Sequence, residues 1–566
     1  MIEALRSVCR DVCGPAGTSA VVRSDSGSGV TLTACGSRLL GAFAEHPVPG
    51  VVVQNTCAAQ QAIYGEGGLT STILACTLIR LTSELGARRR TDHLLLADTF
   101  QRCLGWCYEC LESTSGGTPI FFRVPFRRGG DDEEAFAALA RTVLFPKLLA
   151  VSDARAMDAI ADALVRSFVA DGDADEATKL DREGFVDGLR VLEVVGAPRE
   201  CARRAPGVFI ARAPVMDFDF ARLAGNEAGT RSAGGRVLIV AESMRLPSGP
   251  ERTRRAAAAA EIARACETLG VRVVLCSRAV DRHLQQLLAR RGVLPLERVP
   301  AADLAAVAHA TGARPLEQWA TSATGECDSA QKRGAEKKTR GGETRTKTSA
   351  SSAAEWAPRV GAYEGVVPAT LEGNPPVKYV KMRGSARALD TLLLCAPTVP
   401  EMEELAAVVA SARRALARLA AEPDAVAGGG AVETALAARV RARAAEERRV
   451  LFSERSSREA TLESEAVHAF AAALEETAAL SGAVVEKRRG AEERRRLRRL
   501  FPGAVASVLE SFRQDEHSPT LSRNPPRGPL EGRLDRSQPV ESLGAKMEGI
   551  RKAVEVACVV LRTHAE

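Results

Sequence analysis

Glycines, carboxylates and cysteines are the residues of this 566-residue chain whose types and spacing could do chemistry. Glycine-rich breaks fall at 14–17, 65–68 and 428–430, and backbone amides in such turns can cradle phosphate oxygens. Taken singly, such breaks are usually turns or helix caps. Residues 65–72 hold no lysine before a Ser or Thr, which excludes a Walker-type loop and with it a P-loop kinase or GTPase. Cys107 and Cys110 have the Cys-x-x-Cys spacing of a metal or redox site. No second pair or nearby histidine completes a tetrahedral set, however, and spacings of four and three place Cys103, Cys107 and Cys110 on one helix face, so all three are assigned to the core. The 7 histidines show no His-Glu-x-x-His spacing and read as lone helix residues.

A turn does chemistry only where the elements beside it hold it in place. From residue 3 to about 117 the pattern is helical, and the apolar run 69–78 after the second glycine break suits a buried helix. A second helical stretch covers 133 to about 169, with Phe136, Leu139, Leu144, Leu148 and Leu149 at helical spacing. Between about 204 and 320 the rhythm becomes strand (237–241), helix (254–269), strand (271–276) and helix (281–291), which predicts an α/β unit with parallel strands. A strand at 391–395, a long helix from 400 to about 420, more helices to about 485 and a last helix at 540–561 follow. Residues 321–354 are almost free of apolar side chains and are read as a disordered insertion. The order helical, helical, α/β, helical predicts nested domains.

Composition narrows the class. Hydrophobic residues at 45% and charged residues at 26% are globular values. The net charge of +6 traces largely to basic tracts at 332–347 and 487–499, which lack interleaved aromatics for stacking bases, so nucleic acid is not implied. The N-terminus lacks the apolar core of a secretory signal and no apolar run has membrane-spanning length, which predicts a soluble intracellular protein with reduced cysteines.

Several stretches, in order, resemble the group II chaperonins over nearly the whole chain. Gly14-Pro15-Ala16-Gly17 is similar to that family's GPxG phosphate loop, and Gly65-Glu66-Gly67-Gly68-Leu69 followed by TSTILACTLI aligns with its G-D-G-T-T and the helix after it. AGGGAVE at 427–433 is close to P-G-G-G-A-V-E, which there lines the base and ribose. The stretch from GVRVVLCSRAVDRHL to HATGARPL resembles the family's apical domain, and 540–561 its closing helix. Leu69 after two glycines, HPVPGVVVQNTCAAQQ and GGGAVETALAARVR resemble the chaperonin-like proteins of the McKusick-Kaufman and Bardet-Biedl syndromes. The resemblance implies an α/β multidomain chaperonin fold: equatorial parts at 1–132 and 397–566, intermediate parts at 133–204 and 357–396, an apical part at 205–320, and basic insertions at 321–356 and about 487–539.

For chemistry, the resemblance implies a degenerate ATP site made of Gly14, Pro15, Gly17, Gly65, Glu66, Gly67, Gly428, Gly429 and Gly430. Glu66 stands for the family's metal-holding aspartate and is the candidate Mg ligand, whereas Gly68 and Leu69 remove two phosphate-binding hydroxyls. The water-positioning aspartate corresponds to Ser411, which cannot serve as a base at neutral pH. The N-D-G-A motif corresponds to Ala34-Cys35-Gly36-Ser37, with Cys35 for the aspartate, and the aspartate before the closing helix has no equivalent. No catalytic residue remains, so hydrolysis is expected to be absent or very slow and binding of ATP with Mg weakened. The family's client-contacting helix corresponds to about 281–291, where Leu284, Leu287 and Leu288 are apolar candidates that could equally pack on the preceding strand; packing is the favoured reading.

The segment before Gly14 is short for the family's ring-joining arm, and 240–270 is short for its lid, so neither a ring of this chain alone nor a closing chamber is expected. Three readings stay open: a chaperonin-like assembly factor, an ATP-hydrolysing subunit of a double ring, and a scaffold without a nucleotide cycle. For the first, the resemblance implies assembly of the ciliary BBSome. Its partners would be other chaperonin-like Bardet-Biedl proteins and the cytosolic chaperonin, with BBSome subunits as clients. The implied place is the cytoplasm, at the centrosome or ciliary base, with nuclear shuttling left open by the basic tracts; nucleic acid and membrane insertion are not expected.

Overall fold

The computed structural model describes residues 2–14, 17–23, 30–41, 47–88, 93–112, 121–123, 132–144, 154–170, 189–220, 223, 234–246, 252–317, 354, 356–371, 376–387, 389–422, 424–450, 457–481 and 540–563. Pro15, Leu148, Leu149 and, apart from 354 and 356, the insertions expected at 321–356 and 487–539 lie outside them. In chain order the first elements are α1 (Ile2–Val12), β1 (Ala20–Arg23), β2 (Val30–Thr33), α2 (Gly36–Gly41) and α3 (Pro47–Val53). A π-helical turn (Gln54–Ala58) leads into α4 (Ala59–Ile63), α5 (Gly68–Arg88), α6 (His93–Glu112), β3 (Phe121–Arg123), α7 (Asp132–Leu144) and α8 (Ala154–Ala170). Next come β4 (Leu189–Val195), β5 (Arg203–Pro206), β6 (Val208–Ile210), β7 (Gly235–Val240), α9 (Arg252–Thr268), β8 (Val271–Cys276), α10 (Arg282–Arg290), β9 (Leu294–Leu296) and α11 (Ala301–Thr311). The rest is β10 (Gly361–Leu371), β11 (Val377–Gly384), β12 (Asp390–Ala396), α12 (Val399–Ala421), β13 (Asp424–Ala427), α13 (Ala431–Val450), α14 (Ser457–Ser481), β14 (Val540–Ser542) and α15 (Leu543–Thr563).

Two compact units result, one of Met1–Lys179 with Ala396–Glu566 and one of Leu180–Cys395. In the first, α5 is apolar nearly all round: Ile73, Leu74, Ala75, Cys76 and Leu78 are all buried, as a central helix requires. It packs against α1, α14 and α15, and α6 packs against α13, α14 and α15, around one core that holds Leu5, Phe100, Phe470, Val554 and Leu561. Cys103 and Cys107 are buried in that core beside the half-buried Cys110, and burial pushes the Cys103 thiol up to about 12, so these are packing residues and not a thiolate centre. The short strand β13 pairs antiparallel with both β3 and β14, and α7 packs between α8 and α12. No described helix is long and apolar enough to cross a membrane.

The second unit contains a six-stranded sheet in the order β6-β11-β10-β7-β8-β9. β7, β8 and β9 run parallel, and the other pairings are antiparallel. Alternate residues point to opposite faces. Val237, Ile239, Val273 and Leu275 meet Leu304 and Val307 of α11, while Leu238, Val240, Val274 and Cys276 meet Ile262 of α9 and Leu284 and Leu288 of α10. The expected strand-helix rhythm is present, but the sheet is mixed. Residues 357–384, expected in the intermediate part, supply the hairpin β10-β11 to this sheet, and only β12 pairs with β4 and β5. The hairpin's eight-pair register gives it partners on both edges, β6 and β7, which local patterning could not reveal.

One buried ion pair fastens this unit. Arg190 on β4 donates to the Phe209 carbonyl at 2.7 Å and pairs with Asp303 of α11, whose other oxygen accepts the Ala211 amide at 2.7 Å. Removing one member of such a pair strands a buried charge and costs about 3–5 kcal/mol, whereas removing both costs less. Arg190→Met should therefore lower the denaturation midpoint of the unit read by the buried Trp356, and Arg190→Met with Asp303→Leu should recover part of the loss; equal losses in single and double variants would contradict this assignment.

Candidate nucleotide site

The turn Gly65-Glu66-Gly67-Gly68 lies between α4 and α5, and three other parts of the first unit close on it. The first is α12. Gly65 has φ +72° and sits so close to this helix that a Cβ would come within 2.3 Å of the Ser411 carbonyl and 2.9 Å of the Arg414 Cβ, so only glycine fits. Ser411 is buried; its hydroxyl donates to the Ala407 carbonyl at 2.9 Å and accepts the Gln61 side-chain amide at 2.6 Å, which also donates to the Gly65 carbonyl at 2.9 Å. Ser411, the residue matched to the family's water-positioning aspartate, thus lies against this turn.

The second part is the β14-α15 junction. The Ser542 amide donates to Glu66 at 2.9 Å, Gln60 donates to the Ala545 carbonyl at 2.6 Å, and Ser71 donates to the Gly549 carbonyl at 2.8 Å. Lys546 of α15, 6% exposed, lies 2.6 Å from Glu433 of α13 and pairs as well with Glu541, which in turn accepts the Gly429 amide. Desolvation, and then the neighbouring Glu541, push Glu66 up to about 8, so at neutral pH it holds a proton. Burial likewise raises Glu541. Between these groups is a cavity of about 20 Å³ lined by Glu66, Gly67, Thr70, Ser71, Glu433, Glu541, Lys546 and Gly549, room for about one water.

The third part is the turn from β2 into α2. Glu404 of α12, 5% exposed, accepts the Thr33 hydroxyl at 2.6 Å and the Ala34 amide at 2.8 Å and lies 3.3 Å from Arg38, while the Cys35 amide donates to Thr33 at 3.0 Å. Leu69 lies directly on Gly36: a Cβ there would meet the leucine Cγ at 2.7 Å. The other two glycine breaks meet the end of α14. A Cβ at Gly14 would come 2.0 Å from the Leu480 carbonyl, and one at Gly430 2.5 Å from the Ala478 carbonyl.

The sequence-level model of one family accounts for this arrangement of turns: that of the TCP-1/cpn60 chaperonin family, which matches residues 5–480. The chain belongs to that family. Its fold is similar to the crystal structure of a group III chaperonin in the open state, with a TM-score of 0.61 and 17% identity over 99% of this chain and 96% of that one. No curated protein sequence matches significantly.

Chaperonins of this family generally bind ATP with Mg, and the residues present do not fit that group. Glu66, the candidate metal ligand, accepts an amide of its own chain; among the described residues no group of three or more His, Cys, Asp or Glu could hold a metal ion. Gly14, Gly65 and Gly430 face the chain's own carbonyls, and Gly67 faces Gln60. The apolar client candidates are also not available as a surface: Leu284 and Leu288 are fully buried and Leu287 packs on the same cluster, because Asp281 caps α10 by accepting the His283 amide at 2.9 Å and turns that stripe onto β8. Glu404, Glu433, Glu541, Lys546 and Arg414 were not singled out by sequence; charged residues on amphipathic helices, or on a three-residue strand such as β14, read as solvent-facing, and only the distant segments they meet reveal otherwise.

Glu66 has a measurable signature. Its native value of about 8 exceeds the ordinary 4.5, so between these values the folded chain holds a proton that the unfolded chain has released, and the stability it contributes falls as the pH rises through that window. Glu66→Gln should gain on the wild type by up to about 1.4 kcal/mol per pH unit between about pH 5 and pH 8 in urea denaturation. A difference independent of pH would show that Glu66 is ionised throughout.

Proposed function

We propose that this chaperonin works as a chaperonin-like assembly factor of the group II type, one that binds client proteins and other chaperonin-like subunits and does not turn over ATP. The observation that carries the reading is Ser411: the helix position that meets the Gly65 turn holds a hydroxyl satisfied by Gln61 and Ala407, with no carboxylate to activate water. The leucine at 69, which lies on Gly36, supports it. The likeness of Leu69, HPVPGVVVQNTCAAQQ and GGGAVETALAARVR to the chaperonin-like proteins of the McKusick-Kaufman and Bardet-Biedl syndromes supports the finer statement. On that statement the clients are BBSome subunits, the partners are sister chaperonin-like proteins and the cytosolic chaperonin, and the place of action is the cytoplasm near the centrosome and ciliary base.

Two measurements test it. Purified full-length protein should release no phosphate from MgATP above a heat-denatured control, and Ser411→Asp should not restore turnover, because Glu66 and Leu69 still lack the groups that turnover needs. Tagged protein expressed in ciliated cells should retain sister chaperonin-like subunits and BBSome subunits. Robust wild-type turnover would make the chain a working ring ATPase, and retention of neither class of partner would refute the assembly reading.

A further inference from the structure

We infer that the candidate nucleotide site is closed from within: the Glu404 carboxylate takes the donors that would hold a phosphate, the Lys546 ammonium takes the place of an external cation, and the Leu69 side chain fills the space between the Gly36 and Gly65 turns.

An anion site needs backbone amides and a cation that point at open space. Here those donors are already used. The Ala34 amide, the Thr33 hydroxyl and the Arg38 guanidinium converge on the two oxygens of Glu404, at 2.8, 2.6 and 3.3 Å. This is the donor set of a phosphate niche with a carboxylate of the same chain in it. The Cys35 amide goes to Thr33, the Ser542 amide to Glu66 and the Gly429 amide to Glu541. A divalent cation would need carboxylates, and Glu433 and Glu541 already share the Lys546 ammonium. Between the niche and the Gly65 turn, where a phosphate chain would have to pass, Leu69 Cγ and both methyls stand within 3.2 Å of the point a Gly36 Cβ would occupy. The cavity left beside Lys546, about 20 Å³, holds about one water and no nucleotide.

The inference deepens the assembly reading, since a chain closed in this way holds its first unit together without nucleotide, but the two fail separately. The test uses the full chain and two probes. Equilibrium dialysis with labelled MgATP should give no saturable binding up to about 1 mM, with a cooperative melt confirming that the sample is folded. Saturable binding would overturn the closure and, if no hydrolysis accompanied it, leave the assembly reading standing. The second probe is inorganic phosphate. Glu404→Ala empties the niche, so phosphate should raise the melting temperature of this variant by about 3 °C relative to sodium chloride of equal ionic strength, and leave the wild type unmoved. Phosphate that shifts both proteins equally, or neither, would overturn the assignment of Glu404 as the niche's occupant. Glu404→Gln, which keeps an acceptor for Ala34 and Thr33, should fold as the wild type does and show no phosphate shift; if Glu404→Ala fails to fold, a phosphate shift in Glu404→Gln or in the wild type would overturn the assignment by itself.

Discussion

The first unit depends on one buried cation. Lys546 is the only ammonium touching Glu433 and Glu541, among the described residues; Glu433 is buried and Glu541 largely so. Counted together the three groups carry a net negative charge, in surroundings where every unbalanced charge is expensive. A third ionised carboxylate at Glu66 would add to it, so Glu66 keeps its proton and serves as an acceptor for the Ser542 amide. That one balance fixes several things together. It ties α15 to the start of α13, brings β14 onto β13, and holds the Gly65 turn against the closing helix.

The glycines show how close packing alone can fix a motif. Gly14 and Gly430 come from loops more than 400 residues apart in sequence, yet both lie against the last turn of α14, at Leu480 and Ala478. Any side chain at either would collide with backbone that belongs to the core, and backbone of a helix end does not yield as a flexible side chain does. The glycines are therefore required whether or not a phosphate is bound. The side chains that stand between these turns are leucine at 69, cysteine at 35 and serine at 411.

How much of this was legible in the sequence follows from the range of the interactions concerned. The helix α5, the strands β7 and β8 and the helices α9, α10 and α12 announce themselves by local periodicity; the observed limits differ from the expected ones by at most two residues except at the end of α5, which runs on from 78 to Arg88. The three- and four-residue strands β1, β2, β3, β13 and β14 are too short for any period to register, and β13 pairs with β3 across some 300 residues of chain. Site glycines and Ser411 were found because a motif marks them. Glu404 was missed because nothing near it in sequence says that Thr33, Ala34 and Arg38 will each deliver a donor to it. Leu284 and Leu288 illustrate the reverse: an apolar stripe is visible in sequence, and whether it faces a client or a sheet is decided only by the strand beneath it.

The two ends of the closed site compensate each other electrostatically without touching. Glu404 brings a negative charge into a ring of amide, hydroxyl and guanidinium donors, and Lys546 brings a positive charge among carboxylates. In a nucleotide-driven protein both charges would arrive with the ligand, phosphate at one end and metal at the other, and would leave with it. Here they are covalently part of α12 and α15, at no cost in lost translational freedom and with no step at which they depart. On the closure inferred above, a chain built this way retains the packing that the chaperonin fold needs and gives up the cycle that nucleotide exchange would impose. The contacts that would be made and broken in such a cycle, at Gly65, Gly429 and Ser542, are permanent features of its core.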